Sequence, residues 1–150
     1  MAEMNTREVV DRYGAGMEAH DIDAVLATLH DDFVEEYPQS GERIHGAANL
    51  GAILSHYPGG EPRMEKVEQV IGTEDRWVVS PSYIPMRVEG SGDQYTAVAH
   101  IAYPDGSQWH VIQLIRLKDG RIYRIVSYYA APFEAPDWRA PFVERFPTEG

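Results

Sequence analysis

The sequence predicts an α+β fold in which helices come first and an antiparallel sheet follows. Three observations carry this. Up to about residue 57, apolar side chains recur at helical spacing in three short runs. From Met64 onward the pattern changes to β-branched and aromatic runs, and turn-forming residues stand between those runs. A sheet bent around helices on its concave face would leave a pocket between the two layers.

The elements follow in order. Asn5 with Glu8 reads as a capping box, because each side chain can satisfy a free N–H at a helix start. The first helix places Val9, Tyr13 and Met17 on one face with Val10 beside them. Gly14 and Gly16 weaken it but permit close backbone approach, which predicts tight packing against another element. Asp21 caps a second helix with apolar positions Ile22, Val25, Leu26 and Leu29, ended by His30, Asp31 and Asp32. Phe33 to Tyr37 and Arg43 to His45 pair as a hairpin around Pro38, Gln39, Ser40 and Gly41. A third helix runs from about Ala47 to Tyr57, with Leu50, Ile53, Leu54 and Tyr57 on its apolar face, and Pro58 to Pro62 stop it.

Five antiparallel strands are expected in MEKVEQVIG, RWVVSPSYIPMRV, QYTAVAHIAY, SQWHVIQLIRL and RIYRIVSYYA. Pro81 and Pro85 mark the second as an edge or bent strand. Asp105-Gly106 reads as a two-residue hairpin turn, and Lys118-Asp119-Gly120 as a three-residue turn with a glycine bulge. The proline-broken tail is expected to pack Phe133, Trp138 and Phe142 over the sheet.

Composition bounds the function. A chain of 150 residues fits one domain, residues 1–150, with a core of its own. The 43% hydrophobic and 25% charged content is that of a globular protein, and no apolar run is long enough to cross a bilayer. With 0 Cys there is no disulfide framework, thiolate nucleophile or cysteine zinc site. A net charge of -11 argues against nucleic acid, whose phosphates need basic clusters. The opening MAEMNTREVV lacks a basic start followed by an apolar block, so a cytoplasmic location is expected. The histidines and acidic pairs of the helical half show no converging ligand spacing, so no metal is expected. No phosphate loop or serine nucleophile elbow is present.

Three strings carry a family resemblance: RYGAGMEAHDIDAVLATLHDDF, then VEEYPQSGERIHG, then VIQLIRLKDGRIYRIVSYYAAPF. They resemble the superfamily of nuclear transport factor 2, with its SnoaL-like cyclases, ketosteroid isomerases, scytalone dehydratases and limonene-epoxide hydrolases. The resemblance covers nearly the whole chain. It implies a cone-shaped, curved sheet with three N-terminal helices on its concave face, but fold alone leaves the reaction open. By resemblance to ketosteroid isomerase, Tyr13 falls on the tyrosine that donates to the developing oxyanion. Tyr37 falls where the isomerase has its proton-shuttling Asp, so that base is missing. Gln113 falls on the protonated Asp of the oxyanion hole, and an amide can still donate there. Ser127 stands where limonene-epoxide hydrolases have a last-strand acid, and their Asp-Arg-Asp arrangement is absent. Tyr37 and Gln113 look like the strand tyrosine and Asn of scytalone dehydratase, whereas Gln69 stands where that enzyme has a histidine.

Strand alternation then fills in the pocket. If Gln113 points inward, so do Trp109, Val111, Ile115 and Leu117. Pairing through a two-residue turn at Asp105-Gly106 sets His100 opposite Val111 and Val98 opposite Gln113, and pairing after Leu117 turns Ile125, Ser127 and Tyr129 inward. Leu54 of the third helix adds an apolar wall. His100 is then the inward group whose ordinary pKa suits proton transfer near neutrality, with a buried, neutral, structural histidine as the alternative. Glu35 shares a face with Tyr37 and is the backup base, against a solvated hairpin carboxylate. For Tyr13 the competing reading is an ordinary helix residue, and for Tyr37, Gln69 and Gln113 a structural hydrogen-bond network.

The expected function is cofactor-free isomerisation, cyclisation or dehydration of a small apolar, carbonyl- or hydroxyl-bearing molecule. His100 or Glu35 would move the proton, and Tyr13, Tyr37 and Gln113 would hold the oxygen. The alternative is a noncatalytic ligand-binding protein. Alternation also puts His110, Ile112, Leu114, Val126 and Tyr128 on the outer sheet face, where a homodimer is expected to cover them.

Overall fold

A computed structural model describes residues 5–56, 82–102 and 108–146. Its elements are α1 (Thr6–Ala19), α2 (Ile22–Leu26), β1 (Leu29–Tyr37), β2 (Glu42–His45), α3 (Gly46–Ser55), β3 (Ser82–Ser91), β4 (Gln94–Ala102), β5 (Gln108–Lys118) and β6 (Arg121–Ala130), followed by a 3-10 turn at Asp137–Phe142. The described strands form one curved, open sheet in the order β2-β1-β6-β5-β4-β3. The fold is α+β, as expected. The first expected strand, MEKVEQVIG, the first residues of the second and the Asp105-Gly106 turn lie outside the described residues.

Local signals fix the helices. Asn5 Oδ1 accepts from the Glu8 N–H at 2.9 Å and Glu8 Oε2 accepts from the Asn5 N–H at 3.3 Å, which completes the capping box of α1. Asn5→Ala should therefore cost about 1 kcal/mol, read as a fall of roughly 2–4 °C in thermal midpoint. Asp21 Oδ1 caps α2 by accepting from the Ala24 N–H at 3.1 Å. Gly16 provides the expected close approach: a Cβ there would lie 2.9 Å from Val25 Cγ2 and 3.2 Å from Val25 N, so only glycine lets α1 close on α2. The second helix is shorter than its apolar spacing suggests. Thr28 O already accepts from the Ile122 N–H of β6 at 2.9 Å, so Leu29 and His30 to Asp32 belong to β1 rather than to a helix end.

The core lies between the helices and one face of the sheet. Val9, Val10 and Tyr13 of α1, Val25 of α2, and Leu50 and Leu54 of α3 meet Phe33, Ile44, Ile115 and Ile125 of the strands. Burying such side chains is worth on the order of 2 kcal/mol each, which makes this contact the main support of the layered arrangement.

Strand register departs from expectation in three places. β1 pairs with β6 in parallel, so the sheet is antiparallel only in its other pairs. β5 and β6 are joined by two residues, since Lys118 pairs with Arg121 and both Asp119 (φ 53°) and Gly120 (φ 73°) are left-handed. That is the turn matched to strand twist, and the bulge expected in it sits instead before Leu117, between Arg116 and Leu117. β3 matches its reading as an edge or bent strand: it is the edge of the described sheet, with a register shift between Ile84 and Arg87, around Pro85. β4 and β5 pair Ala102 with Gln108, one position away from the register of a two-residue turn at Asp105-Gly106. Finally, Phe133, Trp138 and Phe142 do not pack over the sheet; all three are exposed.

Candidate functional site

The β4–β5 register decides which side chains can meet. His100 pairs with His110, and Val98 with exposed Ile112, whereas buried Ala97, Ala99 and Ile101 face the core. A slip of one residue reverses every side chain of a strand. His100 and Val98 are therefore on the outer face, and the inward placement expected of them is corrected. His100 packs edge-on against His110 there, with ring centroids 4.8 Å apart.

The inward positions of β1, β5 and β6 do converge. Glu35 pairs with Ile44 on one side and Ile125 on the other, both buried core residues, so its carboxyl sits among apolar neighbours. Its exposure is 2%, while Glu36 turns outward and is bound by the Arg43 guanidinium at 3.0 Å. Gln113 and Ser127 share the inward face, as expected, and they pair directly across β5 and β6, both buried. Ser127 Oγ donates to Glu35 Oε2 at 3.1 Å. Gln113 Nε2 donates to Ser127 Oγ and to the Tyr13 hydroxyl, each at 3.2 Å. A continuous line of hydrogen bonds thus runs from α1 to β1: Tyr13, Gln113, Ser127, Glu35.

This line sets the electrostatics. Burial among apolar residues pushes the Glu35 carboxyl up to about 7, because desolvation penalises its charged form. Hydrogen bonds from Ser127 and Tyr37 act in the opposite direction and are outweighed. Glu35 Oε1 is buried and carries no hydrogen bond to a described residue. An amide nitrogen has two protons, and Gln113 spends both on Tyr13 and Ser127. Its role in this arrangement is to orient those hydroxyls. By donating to Tyr13 it also polarises that O–H as a donor in turn.

The remaining positions frame this line. Tyr37 is half-buried and lies edge-on to Tyr129, with centroids 6.0 Å apart. Val111 is buried, Trp109 is half-buried opposite Ile101, and Leu54 lies in the same core cluster as Tyr13. Gln69 falls outside the described residues. Gln39, read from sequence only as a turn former, has a positioning part. Its amide donates to Tyr129 O at 2.6 Å and its carbonyl accepts from Tyr129 N–H, so the β1–β2 hairpin tip is fastened to β6 like an extra strand residue. Among the described residues no three His, Asp or Glu side chains gather to hold a metal ion, and no helix is long and apolar enough to cross a membrane.

Comparison with known proteins places this geometry in a family. A family model described as a SnoaL-like domain matches residues 10–125. An NTF-2 like protein of unknown function from Burkholderia xenovorans is 30% identical over 95% of each chain, with a TM-score of 0.69. A Kribbella flavida protein named as a candidate ketosteroid isomerase is 22% identical over 96% of this chain and 91% of its own, with a TM-score of 0.75. A Mycobacterium tuberculosis epoxide hydrolase of the limonene-epoxide hydrolase-like type is 20% identical over 83% and 81%, with a TM-score of 0.58. No curated protein matches the chain.

Proposed function

This chain belongs to the SnoaL-like domain family, and from that premise we propose that it is a cofactor-free acid–base enzyme acting on a small apolar molecule that bears a carbonyl or hydroxyl group. The observation that carries this reading is the Glu35 carboxyl, buried and raised to about 7, in hydrogen-bond continuity with Tyr13. A carboxyl with that pKa is half ionised at neutral pH, the condition under which one group both takes and returns a proton efficiently. Glu35 is thus the proton carrier, in the part first expected of His100. Tyr13 is the donor to the substrate oxygen on which negative charge develops, with Gln113 and Ser127 as positioning residues. Tyr37, Tyr129, Trp109 and Val111 supply aromatic and apolar wall. The chemistry supported is proton abstraction and return beside a carbonyl, which serves isomerisation, cyclisation and dehydration alike.

Deuterium exchange tests this directly. Cyclic ketones and enones incubated with the protein in heavy water should exchange the proton next to the carbonyl, read by NMR. Tyr13→Phe should slow this exchange by about a hundredfold, the usual size of one oxyanion donor. Closure of the line between Glu35 and Tyr13 within the protein favours a second reading, a noncatalytic binder in which it only orders the core. Ligands that bind without exchange, with Tyr13→Phe altering affinity alone, would establish that reading instead.

A further inference from the structure

We propose that this chain binds protonated tertiary amines, with the ammonium N–H donating to Glu35 Oε1, the N-alkyl groups resting on Tyr37, and the ligand body reaching Tyr129 and Val111. The proposal rests on the reading of Glu35 as facing a ligand, and it holds whether or not that ligand reacts. Among the described residues Glu35 is the buried charged side chain, and it forms no ion pair with any of them. Ser127 holds Oε2 at 3.1 Å, whereas Oε1 is buried without a hydrogen bond. A buried carboxylate oxygen in that condition costs free energy, which a bound donor would recover.

Charge and aromatic surroundings select a cation. A neutral donor would satisfy Oε1 but leave the carboxylate charge unbalanced, whereas an ammonium does both. Tyr37 is the next inward residue of β1, about 7 Å along the strand, and it acts on the same carboxyl. The Tyr129 ring lies edge-on to it with centroids 6.0 Å apart, and Val111 pairs with Tyr129 across β5 and β6. Phenol rings attract cations, and alkylammonium groups suit them because their alkyl arms also gain apolar contact. The net charge of -11 draws cations toward the chain and disfavours anions. A tertiary amine fits better than a quaternary one, since only the former keeps an N–H for Oε1.

Proton linkage gives such binding a signature. Burial raises the Glu35 carboxyl to about 7, and the cation takes its ionised form. Below about 7 each bound amine must therefore displace a proton, so affinity falls about tenfold for each unit by which pH drops. Above about 7 it is level until the amine loses its own proton. The window belongs to Glu35, because the elements around it add no second charge. Ile44 on β2, Leu54 on α3, Gln113 on β5 and Ser127 on β6 are neutral, and the phenols of Tyr13 on α1 and Tyr37 on β1 ordinarily stay neutral far above neutrality.

Isothermal titration calorimetry on the full chain tests the proposal with three probes of similar shape: N,N-dimethylbenzylamine, benzyltrimethylammonium and the neutral alcohol dimethyl benzyl carbinol. At about pH 8 the tertiary amine should bind at least about tenfold more tightly than the alcohol, and more tightly than the quaternary ion. Glu35→Gln should abolish the preference for the amine over the alcohol, and Tyr37→Leu should shrink it several-fold. Titrations in buffers of different ionisation enthalpy should show close to one proton released per amine bound at about pH 6, and almost none at about pH 8. That proton count needs no variant, so it decides the matter even if a substituted chain fails to fold. An amine bound no more tightly than the alcohol, or bound at about pH 6 without proton release, overturns the proposal. Deuterium exchange separates it from the catalytic reading. Ketone exchange by a protein that binds no amine overturns the amine site and leaves catalysis standing. Amine binding with proton release, in a protein that exchanges no deuterium, supports the site and removes catalysis.

Discussion

Glu35→Gln is expected to stabilise the protein by about 3 kcal/mol above pH 7 while reducing proton transfer by at least about a hundredfold. The first half follows from linkage. The Glu35 carboxyl is raised from 4.5 to about 7 in the folded chain, so between those values the folded state holds a proton that the unfolded state has lost. The relative stabilisation is whole below about 4.5, falls as pH rises through the window, and is gone above about 7. The amide introduced by Glu35→Gln would keep the shape and still accept from Ser127, but it carries no charge to bury. Unfolding by urea at several pH values should show a slope between about pH 4.5 and 7 in the parent that is flattened in the variant. The second half follows because an amide cannot take a proton from carbon. In the parent, kcat/KM should rise with pH to a plateau with a midpoint near 7, since the ionised carboxylate is the base. A variant that exchanges deuterium as fast as the parent would remove Glu35 from the chemistry. One that is less stable than the parent at about pH 8 would remove the account of its burial.

The reach of sequence reasoning is visible in the same residues. Asn5, Glu8 and Asp21 were legible as caps because each acts on a backbone N–H three residues away. Gln113 and Ser127 were legible as sharing one face because β5 and β6 are close in sequence, although their direct pairing and the two-residue turn were not. His100 was not legible. Ala102 pairs with Gln108, a register one position from that of the tight turn suggested by Asp105-Gly106, and one position exchanges the two faces of β4. Glu35 shows a different limit. Alternation with Tyr37 gave its direction, but not its burial, which comes from Ile44 and Ile125 and from a β1–β6 pairing that is parallel and distant in sequence. Its hydrogen bond to Ser127 spans 92 residues, so no local pattern could raise it above a backup. The tail fails for a related reason: aromatic content says that Phe133, Trp138 and Phe142 need cover, not which surface provides it.

Gly90→Ala is expected to cost about 3 kcal/mol or more, a fall of roughly 10 °C in thermal midpoint, although Gly90 is far from the Glu35 line in sequence. Gly90 pairs with Tyr95 in the β3–β4 hairpin and holds φ at 126°, a conformation L side chains rarely adopt. A Cβ there would strike Gln94 O and lie 2.8 Å from Tyr95 Cα, backbone atoms that cannot rotate aside. The consequence reaches the candidate site through Tyr95, which is buried and whose hydroxyl meets Thr6 Oγ1 at 2.7 Å. That bond fastens the start of α1 to β4, and α1 carries Tyr13. Displacing Tyr95 should therefore loosen α1 and weaken the Gln113 to Tyr13 contact along with the hairpin. Gly92→Ala isolates the two contributions. Gly92 also has positive φ, at 69°, but nothing lies within 4 Å of its added Cβ, so only backbone strain of about 1 kcal/mol is expected. Thermal melts of the two variants side by side should differ by at least about 2 kcal/mol in favour of Gly92→Ala. Equal losses would show that positive φ alone sets the cost, and that the close approach of Gly90 to Tyr95 plays no part in holding α1 on the sheet.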